Sequence, residues 1–543
     1  METAFLLFLA AITCLRHLFA LEGGPAGIVT DELEVECLDK TFLWSRCAHI
    51  LRVGDSKQSD QSCGGIQYPS VREGDISDSF TSMSRNSKST PLPDRFRQRK
   101  LNLVQGNEDA IIASWERLLP VLQRENAIVA DRGSSIVPEV RFDNLHHDLE
   151  AKKEDIRRRG VAIVRGVIPQ DEARSYKFQI EEYVRQNPQT RGFPPENPQV
   201  IELYWSIPQL RARTHPSLLE TQRALMTSLW HSSNPNTPVS LQTPLSYADR
   251  LRIRQPGDAQ FALGPHQDGG SVERWEEQGY GRGGVYDAVF RGEWELYDPY
   301  DAAGRVDAVT DLYGGLGACS MFRMFQGWMS MSTTGPGEGT LLVNPLVKES
   351  TVYELLRPFF RPVRSAAELG GDSERFLDPR NWEFTAGENM TSDLQGATPG
   401  HAQEFPEGMH PHLELEKTMV HVPRVAPGDY VVWHCDTIHA VDRRHAGRSD
   451  SSVLYIPVCP TTEASARYVA RQRDAFLAGT PAPDFPGGKG ESEHLGRPTV
   501  EYILAQAESE GAQALGLGKL ATCEGESAGG EEAVRRANDV LGF

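Results

Sequence analysis

The chain has 543 residues, of which 39% are hydrophobic and 24% are charged, and its formal net charge is -19. This composition is typical of a folded globular protein and excludes an intrinsically disordered chain. The acidic charge argues against nucleic acid as a partner, because a negative surface repels phosphate backbones. The basic cluster from Arg443 to His445 is short and adjoins Asp442, which is typical of a solvated loop.

The N-terminal residues leave the cellular location open. Ala4 to Leu15 is an apolar run with the length of a signal-peptide core, too short to span a membrane. The residues before this run are acidic rather than basic, and no clear cleavage site follows it. The eight cysteines form no CxxC pair, which favours buried thiols in a reducing compartment. We therefore expect a cytoplasmic protein with no stable membrane span, and a secretory signal is the alternative.

The first predicted elements are mostly helices. Apolar residues at helical spacing predict a helix from Glu108 to about Glu125, and Pro120 should kink or end it. The run from Gly160 to Ile168 is rich in β-branched residues and predicts a buried strand. Further helices are predicted over about 148–159, 170–186 and 217–230.

From about residue 248 the pattern changes to short strands separated by Gly and Pro. Strands are predicted at 252–254, 321–331, 339–347, 419–425, 430–434 and 451–457. The stretch 365–412 is polar and lacks periodicity, and so long a loop is usually functional or mobile. Helices return at about 462–476 and 499–507. The expected fold class is mainly β with flanking helices, around a double-stranded β-helix core of the jelly-roll, cupin-like type.

Two short motifs carry candidate metal ligands. Gly264 to Gly270 contains His266 and Asp268 two residues apart, so on a strand both side chains face the same side. The motif from Trp433 adds His434 and His439. Two histidines and one carboxylate form the facial triad of non-haem iron(II) oxygenases, which leaves positions open for a co-substrate and oxygen. His410 and His412 are a rival pair, although histidines beside a proline are more typical of a loop.

The sequence also resembles a known family. The stretches that carry the resemblance are Ser246 to Trp275, Pro427 to His439 and Leu454 to Pro457, and Gly160 to Ile168 fits the family's opening unit. They resemble the phytanoyl-CoA-hydroxylase-like branch of the 2-oxoglutarate oxygenases, and within it a domain-of-unknown-function family of fungi and bacteria. The resemblance covers roughly residues 70 to 480.

This resemblance implies an iron(II) ion, 2-oxoglutarate as co-substrate and O2 as oxidant. It places the third ligand at His439 and gives His434 a supporting role. The family usually supplies an arginine for 2-oxoglutarate shortly after the last histidine, but Asp450 to Ser452 occupy that region here. The candidates for cofactor binding are therefore Arg254 and Arg448, with Arg252 in reserve because it shares a strand face with Arg254.

The predicted organisation has four parts: an N-terminal extension (1–66), a linker or surface arm (67–105), an oxygenase domain (106–480) and a C-terminal helical tail (481–543). The expected function is hydroxylation of an unidentified small molecule by an Fe(II)/2-oxoglutarate-dependent oxygenase. The alternatives are another metal-dependent cupin-type enzyme that does not use 2-oxoglutarate, a non-catalytic member of the fold, and a secreted structural protein. The sequence leaves the oligomeric state open.

Overall fold

The computed structural model describes residues 74–82, 91–260, 262–406 and 408–543. All of them belong to one compact unit that runs from Tyr68 to Phe543. The predicted N-terminal extension, with its signal-like segment, lies outside the described residues. Within the part of the chain that is described, no helix is both long and apolar enough to cross a membrane.

Helices account for more of the described residues than strands do. The α-helices are α1 (Asp94–Val104), α2 (Glu108–Arg132), α3 (Leu145–Arg159), α4 (Gln170–Gln186), α5 (Ile207–Arg213), α6 (Pro216–Leu229), α7 (Asp287–Phe290), α8 (Val347–Leu356), α9 (Ser373–Leu377), α10 (Leu415–Thr418), α11 (Glu463–Ala478), α12 (Val500–Gln506), α13 (Ser509–Ala514) and α14 (Ala528–Leu541).

The strands are short, and most lie in the second half of the described chain. They are β1 (Glu139–Arg141), β2 (Val161–Arg165), β3 (Gly192–Phe193), β4 (Val200–Ile201), β5 (Ser240–Leu245), β6 (Leu251–Arg254), β7 (His266–Gln267), β8 (Phe325–Ser330), β9 (Leu341–Val343), β10 (Phe360–Pro362), β11 (Trp382–Phe384), β12 (Gln403–Glu404), β13 (Val420–His421), β14 (Tyr430–His434), β15 (His439–Val441), β16 (Ser451–Tyr455) and β17 (Cys459–Thr461).

The expectation of a mainly β protein is wrong. The individual helices were predicted close to their observed places, but helices also form where none was expected. Helix α1 lies in the stretch predicted as a linker, and its Phe96 and Val104 are buried in the core. Helix α2 continues through Pro120 to Arg132. A proline removes one backbone hydrogen bond, and the buried apolar face on both sides of Pro120 outweighs that loss.

Two sheets carry the candidate site. The larger has eight strands in the order β1-β2-β14-β8-β16-β6-β4-β3, and the smaller has five in the order β12-β7-β15-β9-β13. All pairings in both sheets are antiparallel except that of β1 with β2. Strand β2 has four consecutive buried residues beside β14, as its unbroken apolar run predicts.

The C-terminal helices pack onto the body of the unit. Phe476 of α11, Ile503 of α12 and Leu541 of α14 belong to a buried cluster that also contains Trp205 and Tyr247. Burial of these side chains fixes the predicted helical tail against residues far away in sequence.

Candidate metal centre

Strands β7 and β15 bring the three predicted ligands together. They pair antiparallel with His266 directly opposite His439, and the two ring centroids are 4.2 Å apart. Asp268 follows β7 and points to the same place: its Oδ1 is 3.4 Å from His266 Nε2, and its Oδ2 is 3.5 Å from His439 Nε2. One ligand atom from each residue lies within 4.8 Å of the others, so the three side chains could hold one metal ion.

Backbone carbonyls orient both imidazole rings. His266 Nδ1 lies 2.7 Å from the Gly264 carbonyl oxygen, and His439 Nδ1 lies 3.1 Å from that of Thr437. Because a carbonyl only accepts, each Nδ1 carries the proton and each Nε2 keeps its lone pair for the centre of the site. This tautomer is the one that a metal-binding histidine needs.

The charge state of Asp268 suits a cation site. Burial by itself would raise the pKa of this carboxyl, but the adjacent His266 and His439 rings, which donate to it when they are protonated at Nε2 in the absence of metal, hold the pKa well below its usual value. The carboxylate is therefore ionised, as metal binding requires.

His434 lies in a second group of close donors with Cys435 and Asp436, but its ring nitrogens are both engaged. Nδ1 accepts from the Asp436 backbone N–H at 3.1 Å, and Nε2 donates to the Pro299 carbonyl oxygen at 2.9 Å. The ring also stacks on Trp230, with centroids 5.0 Å apart. Burial lowers the pKa of His434 to about 4, so a neutral ring serves as a packing element here.

The rival histidines lie in an aromatic cluster. His412 contacts the rings of Trp115, Tyr353 and Trp382, and His410 contacts Tyr353. Burial lowers the pKa of both histidines to about 3. Neither residue belongs to a group of possible metal ligands among the described residues.

A buried network supports the turn that carries His439. Gln267, between the two ligands of the first motif, donates from Nε2 to the Asp436 carbonyl oxygen at 2.7 Å. The Asp436 carboxylate pairs with Arg305 at 2.5 Å and accepts from the hydroxyls of Tyr286 and Tyr297. Sequence reasoning missed these residues. The only available signal was an acidic residue inside the apolar second motif, at Asp436.

A cavity of about 110 Å³ borders the three ligands. Part of its wall comes from the eight-stranded sheet, through Arg252, Gln326, Trp328, Trp433 and Tyr455. The N-terminal segment Ile76–Ser79 and Phe80 cover another part, and the Phe80 ring meets His266 edge-on with centroids 4.9 Å apart. Residues before the predicted catalytic domain therefore help to form the site.

The three predicted arginines lie in different environments. Arg252 lines the cavity. Arg254 is fully buried outside the cavity lining, and it donates to Asp258 Oδ2 at 2.6 Å and to the Asp442 carbonyl oxygen at 2.6 Å. Arg448 is exposed on a loop. Of the three, only the reserve candidate Arg252 therefore reaches the cavity.

Several donors in the cavity wall have no protein partner. Arg252 Nε, Gln326 Nε2 and Trp433 Nε1 are buried and make no hydrogen bond within the described residues. Arg252 keeps one contact, from Nη2 to the Gly339 carbonyl oxygen at 3.1 Å. Buried donors without acceptors are costly, and these three belong to residues that line the cavity.

The chain is similar to several known proteins over most of its length. YbiU of Escherichia coli (strain K12) is 29% identical over 406 residues, which cover 72% of this chain and 88% of that protein. The crystal structure of GlcNAc Inducible Gene 2, GIG2 (DUF1479), from Candida albicans has 30% identity and a TM-score of 0.72, and the match covers 84% of this chain and 96% of that one.

A structure from Salmonella typhimurium LT2, described as a candidate oxidoreductase, has 28% identity and a TM-score of 0.66 and covers 78% of this chain and 98% of its own. The family described as Gig2-like matches residues 90–517. That match spans most of the sequence and includes both ligand-bearing strands, and the chain therefore belongs to the Gig2-like family.

Proposed function

We propose that this protein is an Fe(II)- and 2-oxoglutarate-dependent oxygenase that hydroxylates a small molecule. The observation that carries the proposal is the adjacency of the His266, Asp268 and His439 donors to a cavity containing the buried guanidinium of Arg252. Two imidazoles and one carboxylate suit ferrous iron, and they leave coordination positions for a co-substrate and O2. The Salmonella relative described as a candidate oxidoreductase is in line with redox chemistry.

The bound metal would supply O2 activation coupled to decarboxylation of 2-oxoglutarate. The overall reaction is R–H + O2 + 2-oxoglutarate → R–OH + succinate + CO2. The protein's share is to hold the reactants in place and to exclude water from them. Trp328, Trp433 and Phe80 give the cavity an apolar lining that serves the second task.

Arg252 is proposed to bind the distal carboxylate of 2-oxoglutarate. In the resembling oxygenases that arginine stands at the start of the strand after the last histidine, which corresponds here to the region of Ser451 on β16. The Ser451 hydroxyl donates to the Gly339 carbonyl oxygen at 3.2 Å, and Arg252 donates to the same oxygen. The guanidinium of the neighbouring strand β6 thus reaches the space beside Ser451.

Charge supports the same role for Arg252. Among the described residues no carboxylate lies within ion-pair distance of it, although its side chain is buried. An unpaired buried cation is unfavourable until an anion binds beside it.

The double-stranded β-helix remains part of this proposal. Its support is the pair of largely antiparallel sheets, with the two histidine ligands on strands of the smaller sheet and the proposed co-substrate residue Arg252 on the larger one. Helices pack around these sheets and make up the greater share of the described chain.

The test is turnover of 2-oxoglutarate by full-length protein with Fe(II) and ascorbate. We expect slow release of succinate without added substrate, and we expect none from Asp268→Ala. If wild-type protein binds one metal ion but yields no succinate across a broad substrate panel, a cupin-type enzyme without 2-oxoglutarate takes precedence. If it binds no metal, the non-catalytic alternative takes precedence.

A further inference from the structure

Another arginine of the cavity, Arg323, has neither a hydrogen bond nor an ion pair within the described part of the chain. Eight arginines are buried in the described part of the chain: Arg159, Arg213, Arg252, Arg254, Arg274, Arg305, Arg323 and Arg357. Seven of them make at least one hydrogen bond or ion pair with the protein. Arg323 makes none with any described residue, and its guanidinium carbon lies 5.7 Å from the centroid of the Tyr247 ring.

Arg323 borders two spaces that meet at the metal centre. It lines the cavity of about 110 Å³ and also a neighbouring one of about 60 Å³, and Asp268 lines both. Arg252 lines only the larger cavity. The two unpaired guanidinium groups therefore do not share all of their surroundings, and a ligand on the Asp268 side could reach Arg323 without displacing one bound at Arg252.

We propose that the substrate of this oxygenase carries a carboxylate, and that Arg323 binds it. The inference rests on the proposed function, which assigns Arg252 to the co-substrate and Asp268 to the metal, so that Arg323 has no ion-pair partner among the described residues. A guanidinium presents a planar pair of N–H donors that matches the two oxygens of a carboxylate. Arg252 binds 2-oxoglutarate while Arg323 binds the substrate, so the site holds two organic acids at the same time.

The other charges of the cavity favour a single negative charge on the substrate. Arg250 also lines the larger cavity, but Asp249 accompanies it with Oδ1 3.4 Å from Nε. Asp311 adds an acidic group to the same lining, and so does Glu273, although burial raises the pKa of Glu273 to about 7. A phosphate dianion would meet these carboxylates with only one unpaired arginine in compensation, whereas a monocarboxylate is balanced by Arg323 alone.

Matched acids and amides test the inference. Full-length protein is held without oxygen and saturated with Fe(II) and 2-oxoglutarate, so that the co-substrate site is filled and no turnover occurs. Calorimetric titrations then compare acetate, butyrate and benzoate with acetamide, butyramide and benzamide, with inorganic phosphate alongside. We expect at least one acid to bind tenfold or more tightly than its amide.

Arg323→Gln should weaken binding of that acid at least tenfold and leave the affinity for 2-oxoglutarate within about threefold. Arg323→Lys should bind that acid more tightly than Arg323→Gln does, because it keeps the positive charge. Circular dichroism establishes that the variants are folded, and the wild-type comparison of acid with amide stands even if they are not. Exposed Arg443→Gln is the control and should change neither affinity.

Three results would overturn the proposal: no preference for any acid over its amide, tighter binding of phosphate than of every acid, or a loss of 2-oxoglutarate binding in Arg323→Gln with the acid unaffected. Failure of the proposed function is distinguishable, because it appears in wild-type protein as absent 2-oxoglutarate binding. The acid and amide titrations are then repeated on protein loaded with metal alone.

Discussion

His266 and His439 lie directly opposite each other on adjacent antiparallel strands, with ring centroids 4.2 Å apart. The sheet therefore fixes the separation of the two imidazoles, and Gln267 ties the first motif to the turn before His439 through its hydrogen bond to the Asp436 carbonyl oxygen. Ligands held by strand pairing and oriented by backbone carbonyls are preorganised for a metal ion.

Removal of a proposed ligand should remove the metal. His266→Ala, Asp268→Ala and His439→Ala are each expected to reduce metal content from one ion per chain to near zero, because two remaining donors hold iron(II) poorly. The measurement is metal analysis of protein purified without oxygen.

His434→Ala is the matched control, since this residue lies in the same motif as His439 but has both ring nitrogens engaged. It should retain the metal and lower the free energy of unfolding by roughly 2–4 kcal/mol, because a buried ring is lost. Loss of metal in His434→Ala together with its retention in His439→Ala would reverse the ligand assignment.

Substitution of each of the three candidate arginines should have a different effect on 2-oxoglutarate binding and stability. Arg252→Gln is expected to weaken 2-oxoglutarate binding by roughly 3–5 kcal/mol, on the order of a few hundredfold or more, with metal content unchanged. Arg254→Gln should instead reduce stability, because it leaves the buried Asp258 carboxylate unpaired. Arg448→Gln should change neither property, because its side chain is exposed.

Equilibrium dialysis measures the 2-oxoglutarate affinity of each variant, and chemical denaturation measures its stability. Unchanged 2-oxoglutarate affinity in Arg252→Gln contradicts the assignment of the co-substrate carboxylate to Arg252, and an effect in Arg448→Gln points instead to movement of its loop.

The two glycines that flank the first motif should respond differently to alanine. A Cβ at Gly270 would overlap the Thr310 carbonyl oxygen and the Glu273 carboxylate, whereas a Cβ at Gly264 would meet no atom within 4 Å. Gly270→Ala is expected to cost roughly 1–3 kcal/mol of stability and to weaken metal binding by displacing Asp268. Gly264→Ala should be neutral within about 0.5 kcal/mol. Thermal unfolding measures the stability of the two variants, and metal titration measures their affinity for the metal. Equal effects of the two substitutions would contradict the predicted difference between Gly270 and Gly264.

His410 and His412 should make the fold sensitive to acid. Burial lowers the pKa of each from 6.5 to about 3, so the folded protein binds fewer protons than the unfolded chain between these values. Stability is therefore complete above about pH 6.5 and falls as the pH drops towards 3. The loss should reach roughly 2 kcal/mol per histidine by pH 5.

Urea denaturation of metal-free protein from pH 7 to 5 measures this dependence. His410→Gln should make the slope of stability against pH shallower, whatever its effect at neutral pH. His147→Gln, at an exposed position, should leave the slope unchanged. A slope that is the same in wild type and His410→Gln would contradict the prediction.

Local patterns predicted the strands β6, β8, β14 and β16 of the cavity wall, but the ligand-bearing strands β7 and β15 were not among the predicted strands. Helix α4 has the predicted bounds, from Gln170 to Gln186, and β14 has the predicted bounds from Tyr430 to His434. The overall balance of structure was misjudged, because propensity at single positions does not reveal burial. Helix α2 runs past Pro120 since its apolar face packs in the core, which is a property of distant residues and not of the local sequence.

For the site, the sequence by itself predicted that His266 and Asp268 share a side, because side chains alternate in an extended chain, and Asp268 keeps that side although it lies just past the end of β7. It also named both candidate third ligands. The family resemblance implied His439, and only the tertiary structure shows that the His434 ring is directed towards Pro299 and Trp230 while His439 lies opposite His266, which favours His439 as the proposed ligand.

For the arginines too, the sequence predicts one part and the tertiary structure decides the other. Alternation predicts that Arg252 and Arg254 share a face, but it says nothing about where long side chains end. Asp258 and the carbonyl of Asp442 capture Arg254, whereas Arg252 keeps an unpartnered nitrogen beside the cavity. Arg323 lies inside the predicted strand 321–331, but the chain there is irregular because β8 begins only at Phe325. Partnership between charges is a long-range property, and only the folded chain reveals which arginines remain without a carboxylate.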